Sequence, residues 1–391
     1  MNGTGAGLNG NGRVPGHELM GVREVAGGLL LVPPGVAGRA ADELRLRWAA
    51  RELGRGRWEA VAQGYSDVLV ARWRPADGGP PVLVKCPRTG EAVRSLVRER
   101  DAVAVLAAQL RRPELRELLP RTLDSRLGGR PPVLVQEVLP GVPGDVLLSR
   151  RPELAAALTA SAFAALDELR GATSGSSRDG RLVDGWLSHR LAVLSDRVRW
   201  CRGAEGTAGL LALRAHLRRE LTAHPTEVAW THGDFTPGNL LLRSPAPTGP
   251  GPSSATAPDG PPSTAAPGGP PSVTGLVDWA DALADGPAVV DRASFALALG
   301  WLLEGRSWGE QVVHALRTGA LHRPEIDELP LSGVLLAWLW HVSANLEKSR
   351  RFARNRHWLR EVIVPVLREL AGSARPDGPL GEAGSGAASS G

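Results

Sequence analysis

The sequence predicts an α+β protein: a small antiparallel sheet near the N-terminus and a larger, mainly helical C-terminal part. Three observations carry that expectation. Strand signals dominate before residue 140, helical periodicity dominates after residue 150, and a strand-and-loop island at 230–243 interrupts the helices. At 391 residues the chain can form two lobes with a substantial core.

Residues 1–13 are rich in Gly and Asn and read as a disordered tail. The N-terminal lobe is placed at 14–139. In it, "WEAVAQGYSDVLVARWR" (58–74) and "PPVLVKCPR" (80–88) read as neighbouring strands, with "PADGG" as the turn. A helix follows at 90–111, with Val93, Leu96, Val97, Val103, Leu106 and Leu110 on one side. "PPVLVQEVLPG" (131–141) reads as a further strand with a Pro/Gly exit.

The C-terminal lobe, 140–371, carries helical patterns at 152–170, 184–201, 207–223, 287–303, 308–319 and 331–348. Between the strand-like "NLLLR" and "VTGLVDW" lies a Pro/Gly-rich stretch, 244–272, with almost no charge and no aromatic residue. It reads as a disordered insertion in a hairpin loop, because long surface loops cost little in closure entropy. Residues 372–391, rich in Gly, Ser and Ala, read as a second disordered tail.

Composition narrows the function. An apolar fraction of 42% and a charged fraction of 22% are ordinary for a soluble globular protein. The net charge, 46 − 41 = +5, is too small to make nucleic acid the first partner to consider. Cys86 and Cys201 offer no disulfide framework and no metal knuckle, and read as small buried residues. No secretory signal opens the chain, and the apolar runs fall short of the roughly 18 residues a membrane helix needs. A cytoplasmic protein without membrane contact is expected. Among the 46 basic residues only Lys85 and Lys348 are lysines. In so arginine-biased a chain, an ammonium inside a strand calls for a specific role.

The chemistry is concentrated in "WTHGDFTPGNLLLR", 230–243. Pro237 and Gly238 force a turn that lets Asp234 and Asn239 face one pocket. A carboxylate there can orient and deprotonate a hydroxyl, and an amide oxygen can ligate a hard cation. Asp278, after the next strand, meets Asn239 at the hairpin base if the two strands pair. One amide and one carboxylate suit a magnesium ion that keeps its waters and bridges phosphates. His232 reads as a loop anchor rather than a base.

"HGDFTPGN" followed by "GLVDWADALADGPAVVDRASF" resembles the catalytic core of the aminoglycoside phosphotransferase/choline kinase family, the small-molecule branch of the two-lobed protein-kinase-like fold. The resemblance spans roughly residues 58–345. It implies that Asp234 is the catalytic base, Asn239 and Asp278 the metal ligands, and Asp291 a structural carboxylate. It further implies that Lys85 holds the nucleotide phosphates and pairs with a helical glutamate, Glu99, with Glu91 as the alternative. "QGYSD" (63–67) takes the place of the nucleotide-covering loop, which puts Gly64 and Ser66 beside the phosphates. "VQEVLPG" takes the place of the hinge, where the backbone of Glu137 and Val138 meets adenine. Where the family often ends its first C-lobe helix in "LxxLH", this chain has "LDELR" (166–170), a departure expected to have little consequence.

The resemblance implies an ATP- and Mg2+-dependent phosphotransferase acting on a hydroxyl of a small molecule: an aminoglycoside, a sugar or another metabolite. Two alternatives stay open: a Ser/Thr kinase acting on a peptide in a bacterial biosynthetic pathway, and a silent nucleotide-binding pseudokinase. The oligomeric state is not legible. Trp301, Trp308, Trp338 and Trp340 read as core residues, and the run 347–361 as a solvated helix face.

Overall fold

The computed structural model describes residues 36–63, 67–171, 174–243 and 270–373. The expected tail at 1–13, nearly all of the expected tail at 372–391, most of the 244–272 insertion, and Gly64 and Ser66 lie outside these residues. The expected α+β architecture is observed.

The N-terminal sheet contains β1 (Gly56–Gln63), β2 (Val68–Pro75), β3 (Val82–Pro87), β4 (Thr122–Ser125) and β5 (Leu134–Glu137), in the order β1-β2-β3-β5-β4 with every pair antiparallel. The stretch 58–74 is thus two strands rather than one. Period-two alternation gives the sheet two apolar faces. Leu69, Ala71, Trp73, Val84, Cys86 and Val135 pack on one side against Leu46 and Ala49 of α1 (Val36–Leu53). Val68 and Leu134 pack on the other against Ala92 and Leu96 of α2 (Gly90–Gln109).

Sequence reading did not anticipate α1, because its arginines and alanines leave no clear apolar stripe. Its anchor is polar: Asp42, buried, takes Arg88 in a two-pronged pair at 2.8 and 2.7 Å. Helix α2 starts where Thr89 caps it by accepting from the Ala92 N–H, at 3.2 Å.

Short α3 (Pro113–Arg116) leads on to β4 and β5. The chain then leaves the sheet through β6 (Val142–Pro143) into α4 (Gly144–Arg150) and α5 (Ala155–Arg170). After β7 (Gly175–Ser177) come α6 (Gly180–Arg197), α7 (Ala204–Ala223) and β8 (Thr226–Thr231). Next, β9 (Leu240–Arg243) and β10 (Ser272–Leu276) form the expected hairpin, with β6 completing the sheet β10-β9-β6. The following strand, β11 (Leu283–Pro287), returns beside β8 in the sheet β11-β8-β7.

Helices α8 (Val289–Glu304) and α9 (Trp308–Thr318) follow, then the hairpin of β12 (Ala320–Arg323) and β13 (Ile326–Pro330), then α10 (Leu331–Lys348). The run 347–361 is not one solvated helix. It breaks into the end of α10, α11 (Arg350–Arg354), α12 (Arg356–Trp358) and a π turn, before α13 (Val364–Ser373) closes the described chain.

The largest core cluster gathers α6, α7, α8, α9, α10 and α13 around Trp338 and Trp340, both fully buried. These tryptophans and Trp308 are core residues, as their spacing suggested. Both cysteines are buried too, and burial pushes each thiol up to about 12.

Close helix packing makes some glycines sensitive. A Cβ on Gly209 of α7 would run into the Leu367 carbonyl of α13, whereas one on Gly185 of α6 meets nothing within 4 Å. Gly209→Ala is therefore expected to cost about 1–3 kcal/mol. Gly185→Ala should instead stabilise by about 0.5–1 kcal/mol. Urea midpoints of the two variants check the opposite signs.

Candidate active site

Strand β3 alternates, so Lys85 faces α2 rather than α1. Its Nζ donates to Glu99 Oε1 at 2.5 Å, and Glu99 also accepts from Gln136 Nε2 at 3.2 Å. All three side chains are buried. Glu91, the alternative partner, lies instead against Arg350 at 3.3 Å and Arg94 at 3.8 Å. Lys85 pairs in register with Leu134, and Val82 of the same strand pairs with Glu137, where β5 ends. Val138 follows at the exit from the sheet. Glu137 is held there by its N–H to the Arg121 carbonyl, 2.9 Å, and by the Arg121 side chain, 2.9 Å.

The loop between β8 and β9 is fixed from below. Asp291, fully buried at the start of α8, accepts from the His232 and Gly233 N–H groups, both at 2.9 Å. It also takes Arg170 Nη2 at 2.8 Å. Arg170, which stands where the family often has histidine, is buried and donates further to the Ala288 carbonyl at 2.6 Å. The departure therefore matters structurally: a guanidinium ties α5 to β8 and to the start of α8.

Gly233 has φ +80°, and a Cβ there would strike the Asp281 carbonyl. His232 uses both ring nitrogens. Nε2 donates to the Val277 carbonyl at 3.0 Å and Nδ1 accepts from the Asp234 N–H at 3.3 Å. Such a ring anchors the loop and has no nitrogen left for proton transfer.

Asp234 and Asn239 then lie at the two ends of one tight turn. Asn239 Nδ2 donates to the Asp234 carbonyl at 2.7 Å, which leaves the amide oxygen as its remaining polar atom. Pairing of β9 with β10 brings Asp278 close, since the Val277 N–H donates to the Asn239 carbonyl at 3.0 Å. Asp278 has φ 65°, unique among the described non-glycine residues. A left-handed aspartate held by neighbouring structure marks a place where side-chain direction matters more than backbone comfort.

These two groups fit a hard cation. One amide oxygen and one carboxylate, the latter's side chain 29% exposed, leave coordination positions for water and phosphate. No three His, Cys, Asp or Glu side chains converge into a closed metal cage among the described residues. That pattern suits magnesium, which dehydrates reluctantly.

The two halves of the site meet through α2. Arg98, beside Glu99, donates Nε to the Ala280 carbonyl at 3.2 Å, in the turn directly after Asp278.

One group escaped sequence reading. Lys348, at the end of α10 and inside the run expected to be solvated, is buried, with its side chain 10% exposed. It donates Nζ to Asp234 Oδ2 at 2.9 Å and forms ion pairs with Asp281 at 2.8 Å and Asp278 at 3.8 Å. Burial opposes its charge, but Asp234, Asp278 and Asp281 outweigh this and hold the ammonium well above the usual lysine range. Burial likewise pushes Asp234 up, and Lys348 with His341 more than offsets it, so the carboxyl stays below its ordinary value. The scarcity of lysine in the chain is the one sequence signal that marks Lys348.

His341 lies two turns before Lys348 on the same side of α10, stacked on Trp308 at 3.8 Å and accepting from Asn345 Nδ2 at 3.0 Å. Burial, only partly offset by Asp234, pushes its pKa down from 6.5 to about 4.

Two outcomes follow from this geometry. Asp291→Ala strands Arg170 and two backbone donors, and is expected to cost about 3–5 kcal/mol in denaturant unfolding. For His341, the ring is neutral in both folded and unfolded chains above pH 6.5. As pH falls toward about 4 only the unfolded chain takes up the proton, so stability is lost across that window. The wild type should lose about 3 kcal/mol more than His341→Gln between pH 7 and pH 4, from about 1.4 kcal/mol per pKa unit. Unfolding curves at several pH values measure the difference.

Comparison with known proteins relates the chain to a family. A profile of the phosphotransferase enzyme family matches residues 57–252. The chain is similar in structure to the aminoglycoside phosphotransferase APH(3'')-Id from Streptomyces rimosus: 20% identity, 76% of this chain and 98% of that one, TM-score 0.44. It is also similar to the aminoglycoside phosphotransferase APH(4)-Ia, at 13% identity over 85% of this chain and 99% of that one, TM-score 0.48. A Plasmodium vivax ethanolamine kinase aligns at 10% identity over 83% and 84%, TM-score 0.43. No curated protein sequence matches the chain. With the family profile spanning half of its length, this chain belongs to the phosphotransferase enzyme family.

Proposed function

We propose that this phosphotransferase uses ATP and Mg2+ to phosphorylate a hydroxyl of a small molecule. The observation that carries the reading is the convergence of separate elements on one place. Asp234, Asn239 and Asp278 gather at the base of the β9/β10 hairpin, and α2 links that base to the buried Lys85–Glu99 pair.

Lys85, oriented by Glu99, supplies a compact positive charge for the nucleotide phosphates. The backbone at Glu137 and Val138, where the chain leaves the sheet, is the place for the adenine edge. Asn239 and Asp278 would hold magnesium, which when bound neutralises charge on the phosphate oxygens. Asp234 accepts the proton of the acceptor hydroxyl. The acceptor oxygen bonds to the γ-phosphorus, the bond from that phosphorus to the β–γ bridging oxygen breaks, and ADP leaves with the electron pair. Catalysis is then mostly positioning and charge neutralisation.

The acceptor is a small hydroxyl compound such as an aminoglycoside, a sugar or another metabolite. Incubation with γ-labelled ATP and pools of these compounds tests the reading. Asp234→Asn should lower transfer by about 10²–10⁴-fold, the usual contribution of a positioned base. Its affinity for Mg2+–ADP, measured by calorimetry, should stay within about threefold, since Asp234 acts on the hydroxyl and not on the nucleotide. Normal transfer by Asp234→Asn would remove the assignment. Lys85→Met should instead weaken nucleotide binding.

A further inference from the structure

We infer that Arg190 of α6 is a specificity-determining residue that recognises an acidic group on the acceptor, so the hydroxyl compound this chain phosphorylates also carries a carboxylate or a phosphate. The inference rests on the phosphotransferase reading above and narrows its acceptor.

The argument begins with a guanidinium that no carboxylate holds. Arg190 lies over the Trp340 ring, 3.3 Å from its centre, and its Nη1 donates to Ser343 Oγ at 3.0 Å. Both partners are neutral, and its Nε and Nη2 make no hydrogen bond among the described residues. Burial pushes its pKa down from 12.5 to about 9, which Asp281 and Glu347 only partly offset and Arg98 reinforces. Those two carboxylates are engaged elsewhere: Asp281 pairs with Lys348 at 2.8 Å and Glu347 with His189 at 2.9 Å. Arg98 is in a similar state, with its Nε on the Ala280 carbonyl at 3.2 Å. Two guanidiniums that oppose each other, each held by neutral acceptors, leave a place for an anion.

That place adjoins the transfer site. Trp340 is fully buried, and its Nε1, without a hydrogen-bond partner, stands 2.9 Å from where a Cβ on Gly233 would be. One indole ring therefore separates Arg190 from the residue before Asp234. Arg98 reaches the turn directly after Asp278. The proposed nucleotide contacts, Lys85 and the backbone at Glu137 and Val138, belong to the N-terminal sheet and its exit, whereas α6 packs on α7 and α10. The anion that Arg190 meets is thus assigned to the acceptor.

The surroundings disfavour the opposite charge. A polycationic acceptor needs open carboxylates, and Asp234, Asp278 and Asp281 already share the Lys348 ammonium. A guanidinium fork, by contrast, matches a carboxylate or phosphate with parallel N–H donors.

The test measures transfer from γ-labelled ATP with Mg2+ to three sets of probes at equal concentration. These are hydroxy acids with sugar phosphates, neutral sugars with polyols, and aminoglycosides. The highest kcat/KM should fall in the acidic set. For that acceptor, Arg190→Met should raise KM by about 10–100-fold, from the loss of a charged hydrogen bond, with kcat changed less. Its Mg2+–ADP affinity should stay within about twofold of the wild type. Arg190→Lys, which keeps the charge without the fork, should recover part of the loss. Thermal melting establishes that each variant is folded, and Arg190→Gln replaces Arg190→Met if that variant is not. A neutral sugar or an aminoglycoside as the best acceptor, or an unchanged acceptor KM in the folded uncharged variant, would overturn the inference and leave the phosphotransferase reading intact. Weakened Mg2+–ADP binding by Arg190→Met would assign the anion to the nucleotide and overturn it equally. Transfer by the wild type to none of the three sets would overturn both.

Discussion

Everything at the site is referred to one buried carboxylate. Asp291 holds two consecutive backbone N–H groups of the loop and the Arg170 guanidinium, all within 2.9 Å. A carboxylate without water is tolerable only when its lone pairs are filled, and these three donors fill them. Because Asp291 starts α8, and α8 is packed into both large core clusters, the loop inherits the rigidity of the core. His232, with both nitrogens engaged, transmits that rigidity to Asp234 and to the strand leading to Asp278.

A second constraint acts from the opposite side. Helix α2 buries Glu99 under the N-terminal sheet and, one residue earlier, ties Arg98 to the turn after Asp278. The spacing between Lys85, proposed to meet the phosphates, and the proposed metal ligands is therefore set by one rigid element. Such sites depend on placing groups within a fraction of an ångström, which a helix does better than a loop.

How much of this was legible differs from residue to residue. The β9/β10 hairpin was readable because its arms are short apolar runs, and the Asp234–Asn239 turn because Pro237 and Gly238 dictate it locally. Lys85 was readable through composition, and period-two alternation decides that it faces α2. The choice of Glu99 over Glu91 followed from mid-helix position, and the structure pairs Lys85 with Glu99. Helix α1 was not readable, since its hold on the sheet is the Asp42–Arg88 pair, a contact between residues 46 apart. The division of 58–74 into two strands was missed because both carry the same alternation.

The sequence by itself determined which side chains the proposed chemistry would use, Asp234, Asn239, Asp278 and Lys85, because they are carried by residue types at short spacing and by turn residues with few conformations. It also determined the order of sheet before helices, because hydrophobic period is a local property. Only the tertiary structure decided that Arg170 would lock Asp291 and that Lys348 would reach Asp234 across 114 residues. The reason is physical. Each of those contacts exists only after helices have packed, and nothing in the neighbouring residues of either partner specifies the other.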